Sequence, residues 1–275
     1  MILGNSSQKG NSSQKGGVAM DSGAGRKKKR RAWGIVLVLI LALLVLASGT
    51  VLKSLPDRSS PGYRVSTDRV VVREVEGDLY FLPVEAKSGE PGLAIYPGAR
   101  VPPGAYSYLA RAVAESGRPA AILKAPFGFA ILGTGALERA MKEVPDTGRW
   151  VLAGHSLGGV AAALYASRNP EIVAALVFLA SYPSGGSNLA ATGLPVLSIR
   201  ATNDHLATAE KIEKAKPLLP PDTIYRVIEG GNHAQFGDYG PQDGDGAAEI
   251  TTGRQQVQVI DAVLALFASL ASPAY

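Results

Sequence analysis

Short apolar runs alternate with amphipathic stretches from about residue 69 onward, and this alternation predicts a succession of strands and helices. The first two strands are predicted at residues 70–72 and 79–82, on either side of a turn at Gly77 and Asp78, which indicates an antiparallel start. Repeated strand–helix units follow, and they are typical of an α/β fold in which helices cover both faces of a mostly parallel, twisted sheet. The functional site of such a sheet is expected at the carboxyl ends of its strands. The later strands are predicted at residues 93–96, 120–123, 150–153, 173–180, 195–199 and 223–228, and the helices at residues 106–115, 136–143, 158–167, 207–216 and 257–270.

The N-terminal part of the chain has a different pattern. Residues 1–25 are rich in Gly, Ser, Asn and Gln and contain the sequence NSSQKG twice, and together with the cations that follow they predict a disordered basic tail over residues 1–32. Residues 33–52 are almost entirely apolar, and a helix of that length, rising about 1.5 Å per residue, would just span the roughly 30 Å of membrane hydrocarbon. The cations at residues 26–31 precede this segment and predict a cytoplasmic N-terminus and an extracytoplasmic domain.

A cleaved signal peptide is the alternative for the apolar segment, because Ala47-Ser48-Gly49 resembles a cleavage site of small residues. The protein would then be secreted instead of anchored as a single-pass membrane protein. Either interpretation places the remaining chain across the membrane. We interpret residues 53–68 as a polar linker and residues 69–275 as the folded domain.

The charge of the chain is concentrated in the tail. Residues 1–32 hold eight Lys or Arg and one acid, Asp21, so their net charge is +7. The net charge of the whole chain is +5, which leaves about −2 for the remaining residues. A near-neutral domain gives no indication of nucleic-acid binding, and the basic run adjoins an apolar segment as a membrane anchor would. The chain has no cysteine, which excludes disulfides, thiolate catalysis and cysteine-rich metal sites.

Sequence motifs for cofactors and metals are also weak. Gly133-Thr134-Gly135 lacks the third glycine of a dinucleotide fingerprint, and no phosphate-binding loop is present. Asp243 and Asp245 lie in a glycine-rich stretch that does not match a calcium-binding loop. We therefore expect no cofactor and no metal.

Candidate chemistry is concentrated in residues 150–160, WVLAGHSLGGV, where an apolar strand meets the pattern G-x-S-x-G and an alanine-rich helix follows. In this context the pattern predicts a nucleophile elbow, a turn so sharp that it projects the hydroxyl of Ser156 above the sheet. Gly154 and Gly158 are expected there because side chains at these positions would collide with neighbouring backbone. The flanking strand and helix favour this interpretation over an ordinary glycine-rich turn.

A serine nucleophile needs a base, and the base needs an acid that orients it. Of the three histidines, His155 belongs to the elbow and His205 follows a candidate acid, so His233, after the last predicted strand, is the candidate base. Asp204 follows the strand predicted at residues 195–199, whereas Asp222 precedes a strand and would lie at the wrong edge of the sheet. The alternatives are a solvated loop histidine for His233 and a helix N-cap for Asp204.

The oxyanion of a tetrahedral intermediate needs backbone N–H donors. Leu157, the residue after the nucleophile, is one candidate. The other is Ala99, in the loop after the strand at residues 93–96, because Pro97 of the same loop has no N–H group. The alternative for this loop is a simple strand–helix connection.

The GHSLGG motif, the order Ser156, Asp204, His233 and the strand followed by Pro-Gly resemble the α/β-hydrolase superfamily. The tract GGNHAQFGDYG at residues 230–240, with Gln242 and with Tyr96-Pro97-Gly98, is similar to a bacterial, membrane-anchored branch of that superfamily, over about residues 69–270. The resemblance implies an α/β-hydrolase fold, a Ser-His-Asp triad and ester-type hydrolysis, without a substrate. One departure is His205, which follows the acid where the branch has small residues.

The connection between the strands predicted at residues 173–180 and 195–199 is too short for the helical lid of many relatives, so we expect an open site without a lid domain. Residues 125–127, Phe236 and Tyr239 are candidates for lining the pocket or for simple packing. The predicted function is a serine hydrolase that cleaves a small-molecule ester or related acyl bond through an acyl-enzyme. The alternatives are an acyltransferase or peptidase with the same triad, or a non-catalytic surface module. The sequence specifies neither the acyl length nor the oligomeric state.

Overall fold

The computed structural model describes residues 54–271. The predicted basic tail at residues 1–32 and the predicted membrane segment at residues 33–52 lie outside the described residues. Within residues 54–271, no helix combines the length and the apolar composition that a membrane crossing requires.

Eight strands of the described chain form one sheet in the order β1-β2-β4-β3-β5-β6-β7-β8. Strand β2 pairs antiparallel with both β1 and β4, and every other neighbouring pair is parallel. The mostly parallel sheet with an antiparallel start is confirmed. The strands are β1 (Val70–Val75), β2 (Asp78–Pro83), β3 (Gly92–Tyr96), β4 (Ala120–Ile122), β5 (Trp150–His155), β6 (Val173–Leu179), β7 (Val196–Ala201) and β8 (Ile224–Ile228).

Helices follow most of the parallel strands, as predicted. They are α1 (Ser107–Glu115), α2 (Leu137–Glu143), α3 (Leu157–Ala166), α4 (Ala209–Ala215) and α5 (Thr252–Ala271). Short 3₁₀ segments lie at Pro61–Arg64, Pro103–Tyr106, Pro126–Gly128, Ala130–Ala136, Lys216–Leu218 and Ala234–Phe236.

The start of α5 differs most from its prediction. The apolar periodicity predicts a start at residue 257, but the helix begins at Thr252. The added turn contains Gln255 and Gln256, which are buried although they are polar. A hydrophobicity pattern treats such residues as solvent-facing, so it places the helix start too late.

The core consists of two apolar clusters, one on each face of the sheet. Leu109 of α1 and Val263 of α5 belong to one cluster, and Leu137 of α2 and Ala162 of α3 belong to the other. All seven residues of β6 are buried, as expected for a parallel strand that is covered on both faces. Its sequence is therefore continuously apolar instead of alternating.

Strand β5 lies at the centre of the sheet, between β3 and β6, and runs directly into α3. Its last residues, Gly154 and His155, pair with Tyr96 at the end of β3 and with Leu179 at the end of β6. The loops that follow β3, β5, β6, β7 and β8 therefore meet at one edge of the sheet. This is the edge at which the sequence places the functional site.

The residues predicted as a linker are joined to this same edge. The backbone N–H of Leu55 donates to the carbonyl of Arg100 at 2.9 Å, and that of Arg58 donates to the carbonyl of Asp238 at 2.9 Å. Asp57 and Arg64 form an ion pair at 3.1 Å. The described part of the linker is thus packed on the domain from its first residues.

The connection between β6 and β7 contains no helix, in a stretch that the structure describes completely. No lid domain is inserted there, in agreement with the short spacing in the sequence.

Candidate active site

Ser156 lies between β5 and α3 with φ 51° and ψ −123°, a backbone conformation that residues with a side chain rarely adopt. Three hydrogen bonds hold it. Its N–H donates to the carbonyl of Leu179 at 3.0 Å, and its own carbonyl accepts from the N–H of Gly159 at 3.0 Å and from the hydroxyl of Ser181 at 2.5 Å. The strand, the strained residue and the helix follow one another as in a nucleophile elbow.

The glycines on either side of Ser156 are required by close backbone contacts. A Cβ atom at Gly158 would lie 2.0 Å from the carbonyl oxygen of Tyr96, and one at Gly154 would lie 2.4 Å from the Cα of Gly159. Neither contact is sterically possible. The turn is therefore restricted to glycine at both positions, for the reason that the sequence suggests.

Asp204 and His233 meet although 29 positions separate them in the chain. Oδ2 of Asp204 lies 2.9 Å from Nδ1 of His233, and both residues are buried. The other carboxylate oxygen, Oδ1, accepts from the N–H groups of Leu206 at 2.8 Å and Ala207 at 2.7 Å. Asp204 thus uses one oxygen for its own turn and the other for the imidazole.

Asp204 does not cap the helix that follows it, and His205 does not take part in its hydrogen bonds. The N-cap of α4 is Thr208, whose hydroxyl accepts from the N–H of Lys211, so Asp204 is not the cap of this helix. His205 is exposed. The hydrogen bonds of Asp204 form with the following backbone N–H groups, and the residue type at position 205 does not enter them.

Ser156 and His233 line the same cavity, which has a volume of about 220 Å³. Nε2 of His233 is buried and has no hydrogen-bond partner within the described residues. The structure therefore brings Asp204 and His233 into a hydrogen bond, and His233 and Ser156 line one cavity without a hydrogen bond between serine and imidazole. Such bonds are often long before substrate binds. The remaining lining residues are Leu157, Val160, Ala180, Ser181, Tyr182, Leu206 and Ala207.

Two polar side chains, the partly buried Asp245 and the buried Gln255, fix the loop that carries His233, and sequence reasoning missed both. Asp245 accepts from the backbone N–H of His233 at 3.2 Å and from that of Ala234 at 2.9 Å. The amide of Gln255, on α5, accepts from the N–H of Asn232 at 3.0 Å and donates to its carbonyl at 2.9 Å. The sequence shows Asp245 and Gln255 only as polar residues without a motif, so no local signal marks them.

His155 is fully buried beside the candidate base. Its Nδ1 lies 2.9 Å from the hydroxyl of Tyr106, and its ring centroid lies 4.7 Å from that of His233. Burial lowers the pKa of His155 well below its usual value, and the nearby His233 lowers it further, while the backbone of His233 opposes part of the shift. His155 is accordingly a neutral core residue.

The two oxyanion candidates are placed differently. Leu157 is the first residue of α3, so its N–H has no acceptor within the helix, and the residue lines the cavity beside Ser156. Ala99 lies in the loop after β3, between Gly98, whose N–H donates to the hydroxyl of Tyr106, and Arg100, whose N–H donates to the carbonyl of Gly128. Ala99 is not among the residues that line the cavity.

The candidate pocket aromatics do not line the cavity either. Phe127 is 83% exposed, in a left-handed backbone conformation. Phe236 and Tyr239 are buried, and each ring centroid lies 6.1 Å from that of His155. These two residues therefore pack against His155 and do not line the pocket. Among residues 54–271, no group of three or more His, Asp or Glu side chains is arranged to hold a metal ion.

A mostly parallel eight-stranded sheet with a strained serine after its central strand defines an α/β hydrolase. Residues 92–257 match the alpha/beta hydrolase family, which is more than half of the chain, and the chain belongs to this family. No curated protein matches the chain.

Several solved structures share the fold. A metagenome-derived lipolytic enzyme is 16% identical with a TM-score of 0.51, covering 72% of this chain and 100% of its own. A serine hydrolase homologue from Coxiella burnetii is 14% identical with a TM-score of 0.50, covering 76% and 99%. Est1E from Butyrivibrio proteoclasticus, solved with ferulic acid, is 13% identical with a TM-score of 0.50, covering 74% and 98%. At these identities the similarity establishes the fold alone.

Proposed function

We propose that the protein is a serine hydrolase that cleaves a small carboxylic ester through an acyl-enzyme, with Ser156, His233 and Asp204 as its triad. The observation that carries the proposal is the buried hydrogen bond between Asp204 and His233, because His233 lines a cavity that a strained serine also lines. A buried carboxylate on Nδ1 leaves Nε2 of the imidazole as the nitrogen that takes the proton of the serine. The family membership and the lipolytic structural neighbour are consistent with this chemistry.

The proposed reaction proceeds in two halves. Oγ of Ser156 attacks the ester carbonyl carbon while Nε2 of His233 takes the hydroxyl proton, and the N–H of Leu157 binds the oxyanion. The second proposed donor is the N–H of Ala99, which does not line the cavity but follows Tyr96 and Pro97, whose carbonyls lie against Gly158. Collapse of the tetrahedral intermediate expels the alcohol, which receives the proton from His233. Water, deprotonated by the same imidazole, then attacks the acyl-enzyme. The bond between the acyl carbon and Oγ of Ser156 breaks, the acid leaves, and His233 returns the proton to Oγ. Asp204 stabilises the imidazolium in both halves.

The cavity restricts the substrate that we propose. Its volume of about 220 Å³ is below the roughly 300–1,000 Å³ of a typical ligand pocket. Apart from Ser156, Ser181, Tyr182 and His233, its lining residues are apolar, and none is Lys, Arg, Asp or Glu. A short, uncharged acyl group fits these walls. We therefore expect p-nitrophenyl acetate and butyrate to be better substrates than the corresponding long-chain esters.

The test uses the full chain, purified in detergent, with a fluorophosphonate probe and a series of p-nitrophenyl esters. The wild type is expected to be labelled and to hydrolyse the short esters. Ser156→Ala is expected to lose labelling and to lower kcat by about 10⁴-fold or more, because the nucleophile is gone while binding remains. Ser198 is a buried serine of β7 that does not line the cavity, so labelling should persist in Ser198→Ala, the matched control.

Two results would contradict the proposal. Turnover that survives Ser156→Ala would assign the chemistry to another group. An unlabelled, inactive wild type would favour a non-catalytic module. Products formed when an alcohol or amine is added would distinguish an acyltransferase, and turnover of peptide substrates would distinguish a peptidase.

A further inference from the structure

A buried tyrosine connects the nucleophile elbow with the loop after β3. The hydroxyl of Tyr106 lies 2.9 Å from the backbone nitrogen of Gly98 and 2.9 Å from Nδ1 of His155. Tyr106 and His155 are both 0% exposed, so water does not compete for these contacts. Tyr106 immediately precedes α1, which places its hydroxyl at the end of a rigid element.

The proton positions in this network follow from the groups that are present. The N–H of Gly98 can only donate, so the tyrosine oxygen accepts from it. If Nδ1 of His155 were protonated and donated to the same oxygen, the hydroxyl proton of Tyr106 would have no acceptor among these contacts, so we assign Nδ1 as the acceptor of that proton. Nε2 of His155 has no hydrogen-bond partner among the described residues. His155 is therefore the tautomer that carries its proton on Nε2. The titratable groups in contact with its ring are Tyr106, His233 and Tyr239.

The ends of the network are the backbone segments that carry the proposed oxyanion donors. Gly98 immediately precedes Ala99, and His155 lies two residues before Leu157. We propose that Tyr106 and His155 are positioning residues that hold the N–H groups of Ala99 and Leu157 at the separation needed to bind one oxyanion. This inference rests on the proposed serine hydrolase function.

Packing around Gly98 shows that little space is left for this loop to move. A Cβ atom at Gly98 would lie 2.8 Å from Nδ1 of His155 and 3.3 Å from the hydroxyl of Tyr106. The loop is thus in direct contact with both positioning residues. Donors to an oxyanion act only when they are pre-arranged at about 2.7–3.1 Å from the developing charge, so a displaced loop weakens transition-state binding more than substrate binding.

Tyr106→Phe removes the hydroxyl and keeps the ring. Since complete loss of an oxyanion donor lowers kcat by about 10²–10³-fold, a displaced donor is expected to lower kcat by about 10-fold or more, with KM changed by less than about 3-fold. A boronic acid that forms a charged tetrahedral adduct with the serine should lose affinity by the same factor as kcat. A purely structural role would not link these two losses.

Tyr108→Phe is the matched control. Tyr108 lies on α1, is 3% exposed, and donates its hydroxyl to the carbonyl of Phe236 at 3.2 Å, so the variant also loses one buried hydrogen bond. Its kcat and boronate affinity should stay within about 2-fold of the wild type. Equal losses in both variants, or an unchanged kcat in a folded Tyr106→Phe, would overturn the proposal.

A measurement on the wild type covers the case in which Tyr106→Phe does not fold. The ¹⁵N chemical shifts of His155 in the full chain should show a bare Nδ1 and a protonated Nε2 from pH 5 to pH 9. A proton on Nδ1 would overturn the network and with it the positioning role. If the wild type shows no turnover that depends on Ser156, the proposed function is contradicted. The tautomer of His155 still tests the network in that case.

Discussion

At the scale of single residues, the two oxygens of Asp204 have separate roles. Oδ1 accepts from the N–H groups of Leu206 and Ala207, and this turn orients the carboxylate. Oδ2 is left to bind Nδ1 of His233. A buried carboxylate needs such partners, because burying the charge without them is costly.

Burial of neutral His155 should make stability depend on pH. The pKa of His155 is lowered in the folded protein, whereas a histidine in the unfolded chain has a pKa of about 6.5. Below that pH the unfolded chain binds a proton that the folded chain does not bind. Stability contributed by this residue is therefore lost as the pH falls through about 6.5, by up to about 1.4 kcal/mol per pH unit.

Urea unfolding between pH 7 and pH 5 measures this slope. His155→Gln should flatten it by about one proton, whatever its effect on absolute stability. His205→Gln, at an exposed histidine, is the matched control. An unchanged slope in His155→Gln would show that His155 is protonated in the folded protein as readily as in the unfolded chain.

The sequence assigns a residue to the site only where a motif, the chain order or elimination identifies it. Ser156 follows from its motif, and Asp204 and His233 follow from their order and from their positions after strands. The residues that hold these groups, Asp245 and Gln255, carry no such signal. Their roles consist of contacts with the backbone of a loop that is distant in sequence, and any polar residue of suitable length resembles them.

At the scale of elements, the approach of β3 to the start of α3 determines the geometry of the elbow. Gly158→Ala should disrupt this approach, since its Cβ would meet the carbonyl of Tyr96 at 2.0 Å, a backbone atom that cannot rotate away. We expect a loss of about 1–3 kcal/mol or more in the free energy of unfolding, together with a lower kcat. Thermal unfolding and ester turnover measure the two effects.

Gly185→Ala is the control for this prediction. A Cβ at Gly185 meets nothing within 4 Å, so both stability and turnover should stay close to the wild type. If Gly158→Ala were as stable and as active as Gly185→Ala, the contact between the two elements would have to be looser than the structure indicates.

A strand buried on both faces was more predictable than the start of α5. A run of apolar residues such as β6 is visible in the sequence because both faces of the strand are covered. The ends of helices depend on side chains that satisfy particular neighbours, as Thr208 does at α4 and Gln255 does in the first turns of α5. Such neighbours are not part of the local hydrophobicity pattern.

At the scale of the whole molecule, the distribution of charge and hydrophobicity supports a membrane-tethered protein. The sequence places +7 on residues 1–32 and about −2 on the remainder, with the apolar residues 33–52 directly after the cationic run. We propose that this apolar segment remains as an anchor and that the hydrolase domain lies outside the cytoplasm.

Fractionation of cells that express the full chain tests the anchor. The protein should sediment with membranes, resist extraction at alkaline pH, dissolve in detergent, and keep its complete mass of 28.5 kDa. Added protease should degrade the domain in spheroplasts without lysis, because the domain faces outward. A shorter, soluble product that begins near Gly49 would instead support a cleaved signal peptide.

The sequence by itself determined the succession of strands and helices, the elbow around Ser156 and the order of the candidate triad. These features depend on backbone conformation and on the alternation of burial over a few residues. Both are encoded in the local sequence pattern. Only the tertiary structure decided which atoms meet. Oδ2 of Asp204 reaches His233 across 29 positions, and the hydroxyl of Tyr106 reaches His155 across 49. Contacts of this kind arise from the packing of the sheet and its loops, and no local pattern encodes them.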